Sequence, residues 1–188
     1  MNGPARLVLE KESKSAQFSA PNATRGCARG PGHEMHGNLR ARIVEFLEAH
    51  HVMSLATVGA DGPHAVNLFY ARDEYTLIWV SDPASRHSCH IETRADVAAT
   101  IARDCCDFPE VQGLQIRGHA SRIGSREASR ARSGLEARYP FLQGLCEGGL
   151  RHAYDRAQLY RLEPERIVLI DNQRGFGSKE VLAFRVTA

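Results

Sequence analysis

Three apolar stretches, separated by turns too short to hold a helix, do most to limit what this chain can fold into. The first, HVMSLATV (51–58), is rich in β-branched and apolar residues and closes on Gly59-Ala60-Asp61-Gly62-Pro63. His64-Ala65-Val66-Asn67-Leu68-Phe69-Tyr70 reads as a return strand, and Asp73-Glu74 turns the chain into a third strand over 76–81. A parallel pair needs a crossover of roughly a dozen residues or more, so the pairing is antiparallel and the order predicted is a three-strand meander.

Helices are inserted among the remaining strands rather than alternating with them. Behind Asn38, a candidate N-cap, Leu39, Ile43, Phe46 and Leu47 recur at helical spacing and predict a helix to Ala49. After the third strand the pattern predicts a helix over 83–93, strands over 96–101 and 113–123, and a helix over 126–138. Then come a loop or short helix over 140–149 and strands over 159–162, 166–170 and 181–186. This order places the chain in the α+β class as an antiparallel barrel or sandwich.

The chain has 188 residues, 43% of them hydrophobic, enough to bury the core of one domain. Residues 1–37 hold too few large apolar groups to offset ordering entropy, so they are expected to form a disordered or extended tail before one domain over 38–188. Met35 offers a second possible start. The net charge of +2 falls within that tail, leaving 38–188 balanced and without a field to attract nucleic acid or an anionic membrane. Five cysteines without C-x-x-C spacing, two of them adjacent, suit neither a disulfide framework nor a zinc ribbon. No apolar run approaches the roughly 18 residues of a membrane span, and no secretory h-region is evident. A soluble cytoplasmic protein is expected.

The stretch VSDPASRH (80–87) carries the chemistry. Asp82 or Ser81 can cap a helix whose first residue is Pro83, leaving the amides of Ala84, Ser85 and Arg86 at the positive end of the dipole. With the Ser85 hydroxyl, the Arg86 guanidinium and the His87 imidazole, the stretch holds every donor type a phosphate monoester uses. The competing reading is a self-capped helix in which Asp82 pairs with Arg86 four residues on and His87 and His90 lie on the exposed side.

A strand, a hydroxyl, a short turn and Ser-Arg-His opening a helix resemble the flavin mononucleotide (FMN)-binding split barrel of the pyridoxamine 5'-phosphate oxidase-like superfamily. AHHVMSLAT (49–57), NLFYA (67–71), SRH (85–87), VQGLQIRG (111–118) and DNQRGFGSK (171–179) are most similar to a small bacterial group within it. The resemblance implies a homodimer with a flavin between protomers. It further implies that the backbone around Asn67-Leu68 and Val80-Ser81 lines the ring, that Ser85, Arg86 and His87 hold the phosphate, and that Gln112 of the partner closes over the ring. Leu68, Phe69, Trp79 and Val80 can supply an apolar wall, although Phe69 and Trp79 also read as core residues of adjacent strands. His87 stands where relatives often carry lysine, and Asn67 or a neighbour where better-known oxidases carry arginine, so fixed positive charge is reduced.

The function implied is an FMN-dependent oxidoreductase acting on a small molecule. The alternative is a binding or sensing protein on the same barrel, holding flavin, haem or no cofactor. His87 and His90 can share a helix face, but the sequence places no third metal ligand beside them. Asp104 and Asp107 flank Cys105-Cys106, a setting that does not favour an activated thiolate, so these are expected to be structural or loop residues. RGFGSK (174–179) lacks P-loop spacing and reads as a turn that lets Phe176 pack. The mixed charges of 126–138 require no nucleic acid.

Overall fold

A computed structural model describes residues 38–144 and 151–184, with the side chains of 151–153 excepted. The expected tail, Cys27, Cys146, residues 145–149 of the predicted 140–149 segment and the end of the last predicted strand lie outside the described residues.

The elements are α1 (Leu39–Ala49), β1 (Val52–Gly59), β2 (Gly62–Phe69), β3 (Ala71–Asp73), β4 (Thr76–Ser81), α2 (Arg86–Thr93), β5 (Asp96–Ala102), β6 (Gln112–Arg122), α3 (Ser125–Arg138), α4 (Phe141–Gly144), α5 (Arg151–Arg156), β7 (Gln158–Asp171) and β8 (Lys179–Ala183). Asn38 caps α1 as its sequence suggests, its side-chain oxygen accepting from the Arg40 amide. The sheet runs β2-β1-β5-β6-β7-β4-β3, with β8 added on β7, and every pair is antiparallel. This is the expected antiparallel split barrel with flanking helices.

The three-strand meander is not formed. β2 pairs with β1 alone, while β4 pairs with β7 and with the unpredicted β3, so β2 and β4 stand near opposite ends of the sheet path. The sheet curls until its two edges are joined through Tyr70, whose amide donates to His51 O and whose hydroxyl donates to Leu47 O. Local turn lengths give antiparallel direction; the curl decides which strands become neighbours.

The predicted strands over 159–162 and 166–170 are one continuous β7. Pro164 falls between them, and β6 shifts register opposite it, at Arg117/Gly118. A Cβ on Gly118 would lie 2.1 Å from Glu163 O, so only glycine lets the bulged strands approach. α5 was also missed.

Alternation along β1, with Met53, Leu55 and Thr57 buried and Ser54, Ala56 and Val58 exposed, shows one face on the core and one outward. The core gathers Ile43 and Leu47 of α1 with Trp79, Tyr160, Leu114 and Ile167 of the sheet. Phe69 and Trp79 are not partners on adjacent strands: Trp79 is fully buried, stacked on Tyr160, while Phe69 is 52% exposed. A second cluster under α3 covers the outer side of β4, taking Ile78 and Val80. No described helix is long and apolar enough to cross a membrane.

Candidate functional site

α2 begins at Arg86, later than the sequence suggests. Asp82 is spent on a preceding turn, its Oδ1 accepting from the Ala84 amide at 2.8 Å and its carbonyl from the Ser85 amide at 3.0 Å. Of the three amides expected to face a ligand, those of Ala84 and Ser85 are therefore already bonded. Ser85 holds the N-cap position, and the first amides of α2 have no partner within the helix.

The first turn of α2 bridges the gap between the β2 edge and the end of β4. His87 is 6% exposed, with Nε2 2.7 Å from Ser81 Oγ and 3.2 Å from Ser85 Oγ. Ser85 Oγ donates to Ser88 Oγ at 2.8 Å, and Ser88 Oγ to Ser81 Oγ at 3.3 Å. On the far side, the His64 ring lies parallel to His87 with centroids 6.3 Å apart and edge-on to His90 at 6.1 Å. Burial first, then the charges of His64 and His90, hold the His87 imidazole below its ordinary pKa, so it is neutral at pH 7.

His90 is 6% exposed as well, so neither imidazole lies on the exposed side of the helix. Its Nε2 donates to Asp61 Oδ1 at 2.9 Å, and Nδ1 lies 3.0 Å from the Thr57 hydroxyl. The ring occupies the space above Gly59, where an added Cβ would meet it at 2.3 Å. Arg86 pairs with Asp61 at 2.6 Å and not with Asp82. Desolvation opposes it, but the His90 hydrogen bond and the Arg86 charge hold the Asp61 carboxyl below its usual value. An open cleft of about 680 Å³ runs past Asp61, Arg86, Cys89 and His90.

The structure thus brings Ser81, Ser85 and His87 into one hydrogen-bonded group and sends Arg86 to its flank. Val80 faces the α3 cluster, on the other side of β4 from Trp79. Leu68 packs on the core, while Asn67 points outward and accepts from Ser54 Oγ at 2.7 Å. Gln112 is remote in the same chain. It opens β6, donating to Asp171 Oδ1 beside a 320 Å³ pocket that includes Arg42, Phe46, His50 and Arg103. The other end of β6, Arg122, pairs with Tyr160 next to β4, about 35 Å away along the strand.

Sequence reasoning missed Asp61, His64, Thr57 and Ser88. His64 was findable: alternation places it on the same face of β2 as Val66 and Leu68, which pack on the core. Asp61 was not, because its partners come from a helix distant in sequence. Phe176, expected to pack, is 86% exposed, its ring meeting the exposed Phe108 edge-on. Cys105 and Cys106 lie in the loop after β5. Among the described residues no group of three His, Cys, Asp or Glu side chains is arranged to hold a metal ion.

The donor set of three hydroxyls, helix amides, an arginine and imidazoles suits a phosphomonoester. A family model for pyridoxamine 5'-phosphate oxidase matches residues 39–171. The chain belongs to that family. It is 26% identical over 142 residues to a UPF0306 protein of Pasteurella multocida, a match covering 74% of this chain and 89% of the relative. Among solved structures it is similar to general stress protein 26 from Bacillus anthracis, with TM-score 0.59, 20% identity and coverage of 79% and 100% of the two chains. It is also similar to HutZ, the haem storage protein from Vibrio cholerae, with TM-score 0.56, 18% identity and coverage of 77% and 94%. These structural likenesses show a common fold, and the family match bears out the resemblance read from the motifs.

Proposed function

We propose that this member of the pyridoxamine 5'-phosphate oxidase family is a homodimeric FMN-binding protein, an oxidoreductase acting on a small molecule. The observation that carries the reading is the group at the foot of α2: Ser81, Ser85 and His87 within 3.2 Å of one another, with Arg86 beside them. These residues would hold the phosphate. A phosphate dianion displaces Arg86 readily from Asp61, because that pair is exposed and such pairs are weak.

Two further observations support a second copy. Ser54, Ala56, Ala98, Thr100 and Gln115 form a contiguous exposed uncharged patch on β1, β5 and β6, bordered by Arg117 opposite Ala98, a surface that a second protomer is suited to cover. Gln112 is too far along β6 to reach the Ser85 site of its own chain, so its role over the ring requires the partner's site. The backbone of Asn67-Leu68 and of Val80-Ser81 would line the ring.

The flavin, when bound, supplies the electron and hydride chemistry. This chain's residues bind and orient it: hydroxyls and Arg86 anchor one end, and the partner's cover excludes water. No side-chain acid or base is assigned.

The second reading is a binding or sensing protein without turnover, favoured by the likeness to the haem storage protein HutZ. Absorption spectra of the purified protein decide. A flavin spectrum retained or gained on adding FMN supports the first reading, and a Soret band supports the second. Replacing Arg86→Ala should weaken FMN at least about tenfold by fluorescence titration, the loss of one charge-assisted phosphate contact. Unchanged affinity would move the phosphate elsewhere.

A further inference from the structure

We propose that the foot of α2 is a proton-coupled phosphomonoester site, in which His87, with the His64 ring beside it, takes up a proton as the flavin phosphate binds. The inference rests on the FMN reading above and adds how the site is regulated.

Ser85 donates to Ser88 and Ser88 to Ser81, and of the acceptors within reach of the Ser81 hydroxyl, His87 Nε2 at 2.7 Å is nearer than Ser85 Oγ at 3.1 Å or the Asp82 carbonyl at 3.5 Å. While His87 is neutral and accepts there, the relay ends on the imidazole and offers no proton to an outside oxygen. A proton on Nε2 reverses the last link. His87 then donates to Ser81 Oγ, and the Ser81 hydroxyl is released to donate to a phosphate oxygen; the one covalent change is the Nε2–H bond formed with a proton taken from water. The added positive charge takes the place of the fixed charge that a lysine would give at this position.

His64 stands parallel to His87, and its ring nitrogens hold no hydrogen bond among the described residues. Two uncharged imidazoles sit together without cost, whereas two charged ones repel unless an anion lies near them. An arriving dianion therefore favours protonation here, and protonation favours the dianion. The other titratable groups that face this pair are already engaged or distant. His90 is held between Thr57 and Asp61, and Asp61 also holds Arg86. Asp82 bonds the Ala84 amide, and Cys89 lies against Pro83 O. On β6, also packed against α2, His119 and Arg117 are paired on the outer surface with Asp96 and Glu165.

The test compares FMN with riboflavin, which lacks the phosphate, by fluorescence titration from about pH 8 to about pH 6.5, above the second phosphate pKa of about 6. The ratio of FMN to riboflavin affinity is expected to rise about tenfold over this interval, the order expected for uptake of one proton. His87→Gln, which retains a hydrogen-bonding partner for Ser81, should flatten the ratio. His64→Gln, at a half-buried position less critical to folding, should at least halve the rise. Preferential FMN binding with a ratio independent of pH would overturn the inference and leave the flavin reading intact. A rise that persists in both variants would also overturn it. Failure of either flavin to bind at any pH would remove the flavin reading, and this inference with it.

Discussion

Arg138 and Arg86 each stand at the end of a helix beside a carboxylate, but their surroundings differ. Arg138, at the end of α3, is 14% exposed, pairs with Glu48 and donates to the carbonyls of Leu47, Glu48 and His50. It thereby caps the C-terminus of α1 and meets Tyr139, whose hydroxyl donates to Tyr70 O at 2.7 Å. Three segments distant in sequence are locked at the corner where the barrel edges join. Arg86, by contrast, is 47% exposed and among the described residues bonds only to the half-exposed Asp61, through its carboxylate and carbonyl. An arginine with all its donors committed inward holds the fold; one with a single solvent-facing partner is available to a ligand.

The comparison breaks first at Arg138. Arg138→Ala should cost about 2–4 kcal/mol in urea unfolding, because it leaves several helix-end carbonyls uncapped at once. A loss within about 0.5 kcal/mol would show that the corner is not locked as described. Gly59→Ala comes next. The new methyl meets the His90 ring, and overpacking of this kind costs about 1–3 kcal/mol. Because the displaced ring also carries Asp61, flavin affinity should change along with the melting temperature. Arg86→Ala should reverse the pattern, changing stability by no more than about 0.5 kcal/mol while weakening FMN. A large stability loss here would place Arg86 with Arg138.

The smallest effect is on the pH dependence of stability without flavin. The native His87 pKa is depressed, so the unfolded chain takes up the proton first, near its ordinary value of about 6.5. Stability should be complete above that pH and decline as pH falls toward the native value. Urea unfolding between about pH 8 and pH 5.5 measures it, and His87→Gln should remove the decline. A wild-type curve that is level through this interval would show that His87 is not held neutral by burial.

Much of this was readable in advance. The bounds of α1, β5, β6 and α3 were visible because periodicity and capping are local, and Asn38 caps α1 through its own neighbour Arg40. The Ser85-Arg86-His87 stretch was also marked by residue types alone. Which partners those residues choose was not. Asp82 is spaced to pair with Arg86 but is consumed by its own turn, and Asp61 takes the guanidinium from across the barrel. The continuity of β7 through Pro164 was not legible because the compensating bulge lies on another strand.

From its sequence this chain determined antiparallel strands, the positions of its helices, an uncharged balance over 38–188 and a concentration of phosphate-binding chemistry at 81–87. Those follow from interactions between residues a few positions apart. The tertiary structure decided that β2 and β4 face each other across a gap filled by α2, that His64 meets His87 there, and that Gln112 stands a strand's length away. Such pairings depend on how far the sheet twists and curls, a property summed over all its strands and specified by no single stretch.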